Sequence, residues 1–279
     1  MAYFLLCLNV LCAAYALNAV MITVGYHRGL AHNSVELHPV TRRIVILTGN
    51  WITGLDPKAW AVMHRMHHAY SDTPRDPHSP VNVGIAGILQ EQLKSYKRTI
   101  THLNAKDPKY TKFAHDLDFD LNWLNRSGLW WLPYAVHGTL AFIIGLAGMP
   151  LLGLCYFGGM MSHPLQGGLV NALGHAMGPR NFDMPDDSRN NHIVAWLVLG
   201  EGYQNNHHAY PNSPRFSFRA WEFDMGYTAA IVLEAVGALT INTEALIPDT
   251  ASLLPHPLAY VLGEAFGAAA IGGTVVNKP

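Results

Sequence analysis

Between Trp60 and Pro80 the chain reads WAVMHRMHHAYSDTPRDPHSP. His64, His67 and His68 fall within five residues. Positions i, i+3 and i+4 share a face of an α-helix, so the three imidazoles would point one way, which is a metal-ligand arrangement. Three further groups repeat the theme: HRGLAH with His27 and His32, NALGH ending at His175, and QNNHH with His207 and His208. One histidine pair is most simply a polar helix end, but eight histidines in four compact groups ask for more. Imidazole suits iron, zinc, copper or nickel. Eight ligands exceed what one ion needs, and zinc is usually satisfied by three or four, so two ions are the economical count. Neighbours such as His67 and His68, or His207 and His208, differ by about 100° around a helix and can serve different ions. A nitrogen-rich dinuclear centre with room for oxygen points to iron, while ligand type alone leaves other metals open.

The elements that must position these groups lie in a chain that is 50% hydrophobic and only 13% charged, against roughly 25% charged in soluble domains. That balance predicts a membrane protein, and a net charge of -1 gives no reason to expect a nucleic-acid partner. Cys7, Cys12 and Cys155 lie in apolar runs without CxxC spacing and read as buried thiols. Residues 3–25 carry no charge and span about 34 Å as a helix, enough for a hydrocarbon core of about 30 Å. A signal peptide is the competing reading, disfavoured by the missing basic n-region and cleavage site. His27 and His32 are five apart, about 140° from each other on a straight α-helix, so the helix is expected to unwind near Gly29.

Residues 44–55 reach only about 18 Å and read as an interfacial or re-entrant helix. This keeps the first two histidine groups on one side. Residues 94–126 are a soluble, partly helical loop whose Lys and Arg suggest the cytoplasmic side. Residues 129–147 and 151–173 lack Asp, Glu, Lys and Arg and read as a transmembrane hairpin, which returns NALGH to the side of the other groups. His163 would lie about 18 Å from His175 along a regular helix, too far for the same centre, and reads as a packing or cavity-lining polar residue. Residues 178–192 are a polar loop, 227–241 are expected to form an interfacial helix, and 250–279 form a poorly defined tail. The expected fold is a single domain over 1–279: an all-α integral membrane protein with about three transmembrane helices, interfacial helices and the histidines on one face.

HRGLAH, HRMHH followed by DPH, NALGH and EGYQNNHH resemble, in matching order, the histidine boxes of the membrane fatty acyl desaturases. The resemblance is strongest to the Δ9 acyl-CoA (stearoyl-CoA type) branch and runs from about Leu6 to Tyr227. It implies a helical bundle with a cytosolic histidine-box cap, two iron ions, O₂ as co-substrate, and insertion of a double bond, Δ9 in the matched branch, into a saturated acyl chain on CoA or lipid. It assigns His27, His32, His64, His67, His68, His175, His207 and His208 to iron-ligand positions and Asn171 to the holding of a metal-bound water. Trp60 matches a wall of the acyl tunnel. Asp56, Asp76, His78 and Glu201 resemble structural or supporting positions behind the ligands, with His78 read as a hydrogen-bonded turn residue. Two features depart from the pattern. Gln204 stands where the acyl-CoA branch has histidine, and the family usually has a hydrophobic crossing before the one at residues 3–25.

The chain has no flavin or nucleotide fingerprint and no cysteine cluster for iron–sulfur, so a separate electron donor is expected. Under the resemblance this is a cytochrome b5-, ferredoxin- or rubredoxin-like protein with its reductase. Two rivals remain at this level. A fatty acyl or lipid hydroxylase on the same scaffold differs only in its product, and a membrane metal transporter or sensor would place ionisable ligands along a path at membrane depth.

Overall fold

The computed structural model describes residues 1–246; the expected tail at 250–279 lies outside the described residues. The chain begins with α1 (Ala2–Val20), which runs without a stop into a π-helix, Met21–Ala31. Together they form the one described helix long and apolar enough to cross a membrane by length and composition. The π-helix corrects the expectation of an unwound end. Its hydrogen bonds run i to i+5, as from His32 N–H to the His27 carbonyl at 3.1 Å, so residues five apart become neighbours and His27 and His32 share a face.

Strand β1 (Val35–Leu37) leads to α2 (Pro39–Thr53), which Gly54 ends in the left-handed conformation at φ 76°. A side chain at Gly54 would also strike the Tyr134 ring. Asp56 then starts α3 (Pro57–Tyr70): its Oδ1 accepts from the N–H groups of Lys58 and Ala59 at 2.8 and 3.0 Å, with Pro57 in the first turn. Ser79 caps α4 (Pro80–Asn104) in the same manner. This long helix, kinked at Gly84 (φ 69°), covers part of what the sequence suggested was a loop. The connecting region holds the short α5 (Pro108–Thr111), a 3-10 turn at Lys112–Ala114, and α6 (Trp123–Arg126).

Helices α7 (Leu132–Leu146) and α8 (Pro150–Met160) form a hairpin at Gly148–Met149, and α8 packs along α1. The run 151–173 is not one helix. It breaks at Met161–Ser162, and α9 (His163–Leu173) starts afresh. A break within an apolar bundle frees carbonyls that must be satisfied by protein. Asn18 does this, its amide donating to the Met160 carbonyl at 2.7 Å and the Ile52 carbonyl at 3.0 Å, while Ser162 Oγ donates to the Gly159 carbonyl at 2.7 Å. His137 ties the hairpin to α2: its Nε2 donates to the Trp51 carbonyl at 2.9 Å and its Nδ1 accepts from Tyr156 at 2.5 Å.

After α10 (His192–Leu197), α11 (Gln204–Ala209) and α12 (Met225–Ala235), strand β2 (Leu239–Ile241) pairs antiparallel with β1, Val35 opposite Ile241 and Leu37 opposite Leu239. The fold is predominantly helical, and this ribbon is an element that the sequence reading did not contain. The main apolar core joins the π-helix, α3, α4 and α12. Of the three cysteines only Cys7 is buried; Cys12 is exposed on the outer face of α1 and Cys155 is intermediate. An uninterrupted apolar helix does not reveal which of its sides meets protein.

Candidate metal centre

The eight ligand-type histidines converge into two clusters. The first takes His27 and His32 from the π-helix, His64 and His68 from α3, and His207 from α11. Arg65 holds the first two elements together, its guanidinium donating to the Leu30 and Ala31 carbonyls at 2.8 Å each. The Nε2 atoms touch in series: His27 to His207 at 2.9 Å, His207 to His68 at 2.9 Å, His68 to His64 at 3.1 Å, and His64 to His32 at 2.8 Å. An imidazole nitrogen carries either one proton or one lone pair. A series in which three inner nitrogens each face two others cannot be a run of sound hydrogen bonds. Five lone pairs aimed at a cation do fit, since metal–nitrogen bonds of about 2.1 Å at right angles put nitrogens about 3 Å apart. Burial, followed by the repulsion of neighbouring charged or chargeable groups, pushes His32, His64, His68 and His207 well below the usual imidazole range. They are therefore neutral near pH 7 and able to act as ligands.

The second cluster is His67 from α3, His175 just beyond α9, and His208 from α11, with one ligand nitrogen of each within 4.8 Å of the others. Each Nδ1 donates to a carboxylate: His67 to Asp76 at 2.9 Å, His175 to Asp72 at 2.9 Å and His208 to Asp186 at 2.7 Å. That pairing fixes the proton on Nδ1 and the lone pair on Nε2. All three Nε2 atoms are buried and lack a hydrogen-bond partner, which suits a metal and would otherwise be costly. Burial opposes charge on both His67 and Asp76, but their attraction prevails. Asp76 is held below the usual carboxylate range and His67 above the usual imidazole range. For His208 burial prevails over its bond to Asp186 and brings it down to about 4.

Behind the first cluster, His27 Nδ1 lies 2.6 Å from a Glu201 carboxylate oxygen. Glu201 accepts from Arg28 at 3.2 Å and from the Thr23 hydroxyl, and Arg28 grips Asp224 through two bonds of 2.9 and 3.1 Å. Arg28 is fully buried, with Phe216 under its guanidinium at 3.9 Å. Removing one partner from such a buried ion pair costs about 3–5 kcal/mol, because the remaining charge is left unpaired.

The other sequence-derived positions fall as follows. Asp56 contacts no ligand histidine; besides capping α3, its Oδ2 accepts from Asn122 N–H at 2.6 Å and the Asn125 amide at 3.3 Å, so it anchors the ligand-bearing helix. His78 gives its backbone N–H to Asp76 at 2.9 Å and stacks its ring on His67 at 4.8 Å, and burial followed by the charge of His67 brings it to about 3. Asn171 donates to Gln92 Oε1 at 3.3 Å, while Gln204 uses its amide nitrogen on the Glu201 carbonyl at 2.8 Å, which leaves its amide oxygen as the possible ligand atom. Asp72 and Asp186 escaped the sequence reading. Asp72 lies in a turn with φ 58°, a region uncommon outside glycine, and SDTPRD and PDDS look like ordinary polar loops until the fold brings histidines to them.

The first cluster opens into an apolar cavity of about 440 Å³. His27, His64, Asn171 and Gln204 form part of its wall, with Ile22, Leu55, Trp60, Met63, Leu93 and Val170. A site that joins convergent imidazoles to an apolar pocket has the lining of a pocket for an apolar ligand.

Comparison with known proteins matches residues 2–222 to the family model described as "Fatty acid desaturase". The chain is 31% identical over 251 residues to hex-5-enoyl-[acyl-carrier protein] acetylenase of Moorena producens (strain JHB), covering 82% of this chain and 74% of that protein. It is 31% identical over 246 residues to Delta-9 acyl-lipid desaturase 1 of Arabidopsis thaliana, covering 84% and 74%. Against icosanoyl-CoA 5-desaturase of Limnanthes douglasii it is 29% identical over 234 residues, covering 81% of this chain and 62% of the relative.

Proposed function

The chain belongs to the fatty acid desaturase family, and from that premise we propose that it is a di-iron, O₂-dependent enzyme that introduces a double bond, at Δ9, into a saturated fatty acyl chain carried on CoA or lipid. The observation that carries this reading is the pair of adjoining histidine clusters, one of which opens into an apolar cavity. Two bound iron ions, with O₂ and two electrons, supply the removal of hydrogen from two unactivated carbons, which no side chain can perform.

The chain's own residues do the rest. In this reading His27, His32, His64, His68 and His207 hold one ion, and His67, His175 and His208 hold the other. Asp72, Asp76 and Asp186 aim their imidazoles by accepting the Nδ1 protons, and Glu201 sets a carboxylate against His27 Nδ1. Asn171 and Gln204 offer amide oxygens beside the cavity for a water or for the ion served by fewer histidines. The apolar walls exclude water and hold the acyl chain in reach. The Δ9 assignment draws on the boxes and on the relative named a Delta-9 acyl-lipid desaturase.

A second, polar depression of about 820 Å³ reaches His32 and His68, with Arg65, Lys112 and His115 on its wall. A separate electron donor would meet the first cluster there without entering the acyl cavity. The topology that suits this arrangement has three crossings, α1 with the π-helix, α7, and α8 with α9, and a metal centre facing the cytoplasm.

The test is iron analysis of purified protein together with lipid profiling of cells expressing wild type and His67→Ala. The expected outcome is about two irons per chain and a new unsaturated acyl product, both reduced in His67→Ala. Iron-free wild-type protein and identical lipid profiles would sink the reading, and an alcohol product in place of an alkene would turn it to hydroxylation.

A further inference from the structure

Trp60 is a bulky side chain with a single polar atom, an N–H that must find an acceptor when buried. It is 9% exposed, and its indole stacks on the ligand-type His64 at 4.9 Å and 11°. Edges of the same indole meet Tyr26 at 5.9 Å and His27 at 5.7 Å. Its Nε1–H donates to His163 Nε2 at 3.2 Å. A donor at that distance requires the lone pair of His163 on Nε2, so the imidazole is neutral with its proton on Nδ1. His163 is the first residue of α9, directly after the break at Met161–Ser162. The break sets this histidine against the indole, and both side chains line the acyl cavity.

We propose that His163 is a positioning residue: by holding the indole of Trp60 against His64, it fixes which carbons of the acyl chain lie beside the metal centre. The proposal rests on the acyl-chain reading above. His163 acts through Trp60, because the indole is interposed between it and His64. Trp60 forms the cavity wall next to His64. An indole free to turn would change the shape of the pocket at the point where position along the chain is read, while the ligand set stays intact.

The test uses the full chain, labelled with ¹⁵N-tryptophan in detergent. The Trp60 indole resonance is identified by its loss in Trp60→Phe. It should move in His163→Phe, which has no acceptor, and stay near its wild-type position in His163→Gln, whose amide oxygen can accept. Acyl products from cells expressing each variant are then sorted by double-bond position. Losing one neutral hydrogen bond should lower the ratio of principal to neighbouring positional isomer by roughly three- to tenfold in His163→Phe and likewise in Trp60→Phe. The double variant should be no worse than either single one, with His163→Gln restoring the ratio and metal content unchanged throughout. Trp60→Phe probes the same bond from its other end should His163→Phe fail to fold.

An unmoved resonance in His163→Phe overturns the proposal. So does a moved resonance with an unchanged isomer ratio, or additive losses in the double variant. A wild type that makes no unsaturated product overturns the acyl-chain reading and the positional role with it, and the resonance shift, read without turnover, separates that failure from failure of the indole clamp.

Discussion

Each imidazole of the two clusters has two nitrogens, and the partner of the outer one decides what the inner one can do. Asp76 illustrates this. It accepts from His67 Nδ1 at 2.9 Å and from the backbone N–H groups of Asp72 and His78. Asp76→Asn should weaken metal binding at the second cluster by about 10- to 100-fold, read as metal retained after dialysis against graded chelator. The pair also predicts a pH window for the metal-stripped chain. Asp76 is depressed on folding, so its contribution is complete above about pH 4 and drains as pH falls through the folded value. His67 is raised on folding, so its share is complete below about pH 6.5 and is lost as pH rises through the folded value. Wild-type unfolding temperature in detergent should therefore be highest, relative to Asp76→Asn, between about pH 4 and 6.5, and the difference should shrink on both sides.

At the scale of elements, two irregular helices build the site. The π-helix turns a spacing of five, awkward on an α-helix, into a shared face for His27 and His32. The break between α8 and α9 delivers His163 and the NALGH end from a run that reads as one apolar helix. Both depend on α1 and α8 lying close. A methyl group at Gly159 would come within 2.7 Å of the Leu11 carbonyl and 2.9 Å of Ala14 Cβ. Gly159→Ala should therefore force the two helices apart at a cost of about 1–3 kcal/mol, seen as a lower unfolding temperature by circular dichroism in detergent. An unchanged midpoint would mean that the α1–α8 contact is looser than the structure has it.

At the scale of the whole molecule, three crossings would put both histidine clusters and the basic region around Lys109 on one side, and the turn between α7 and α8 on the other. In a background without native cysteines, Ala147→Cys should react with an impermeant maleimide in intact cells. Lys109→Cys should react only after permeabilisation. Equal labelling of both in intact cells would require a different path through the membrane. The exposed apolar side chains on α7 and α8, among them Phe142, Ile143 and Leu154, are the surface such a path would give to lipid.

The sequence by itself determined the family and the groups of histidines, because histidine boxes are short local patterns and every box lies within a few residues of chain. It also marked Asp76 and Glu201, which stand next to those boxes. What only the tertiary structure decided was the division of eight histidines into five and three, and the pairing of His175 with Asp72, His208 with Asp186 and Trp60 with His163. It decided the pairing of β1 with β2 as well. The physical reason is separation. His27 meets His207 across 180 residues, and no periodicity in a local stretch reports a contact that two irregular helices and a distant loop must close together.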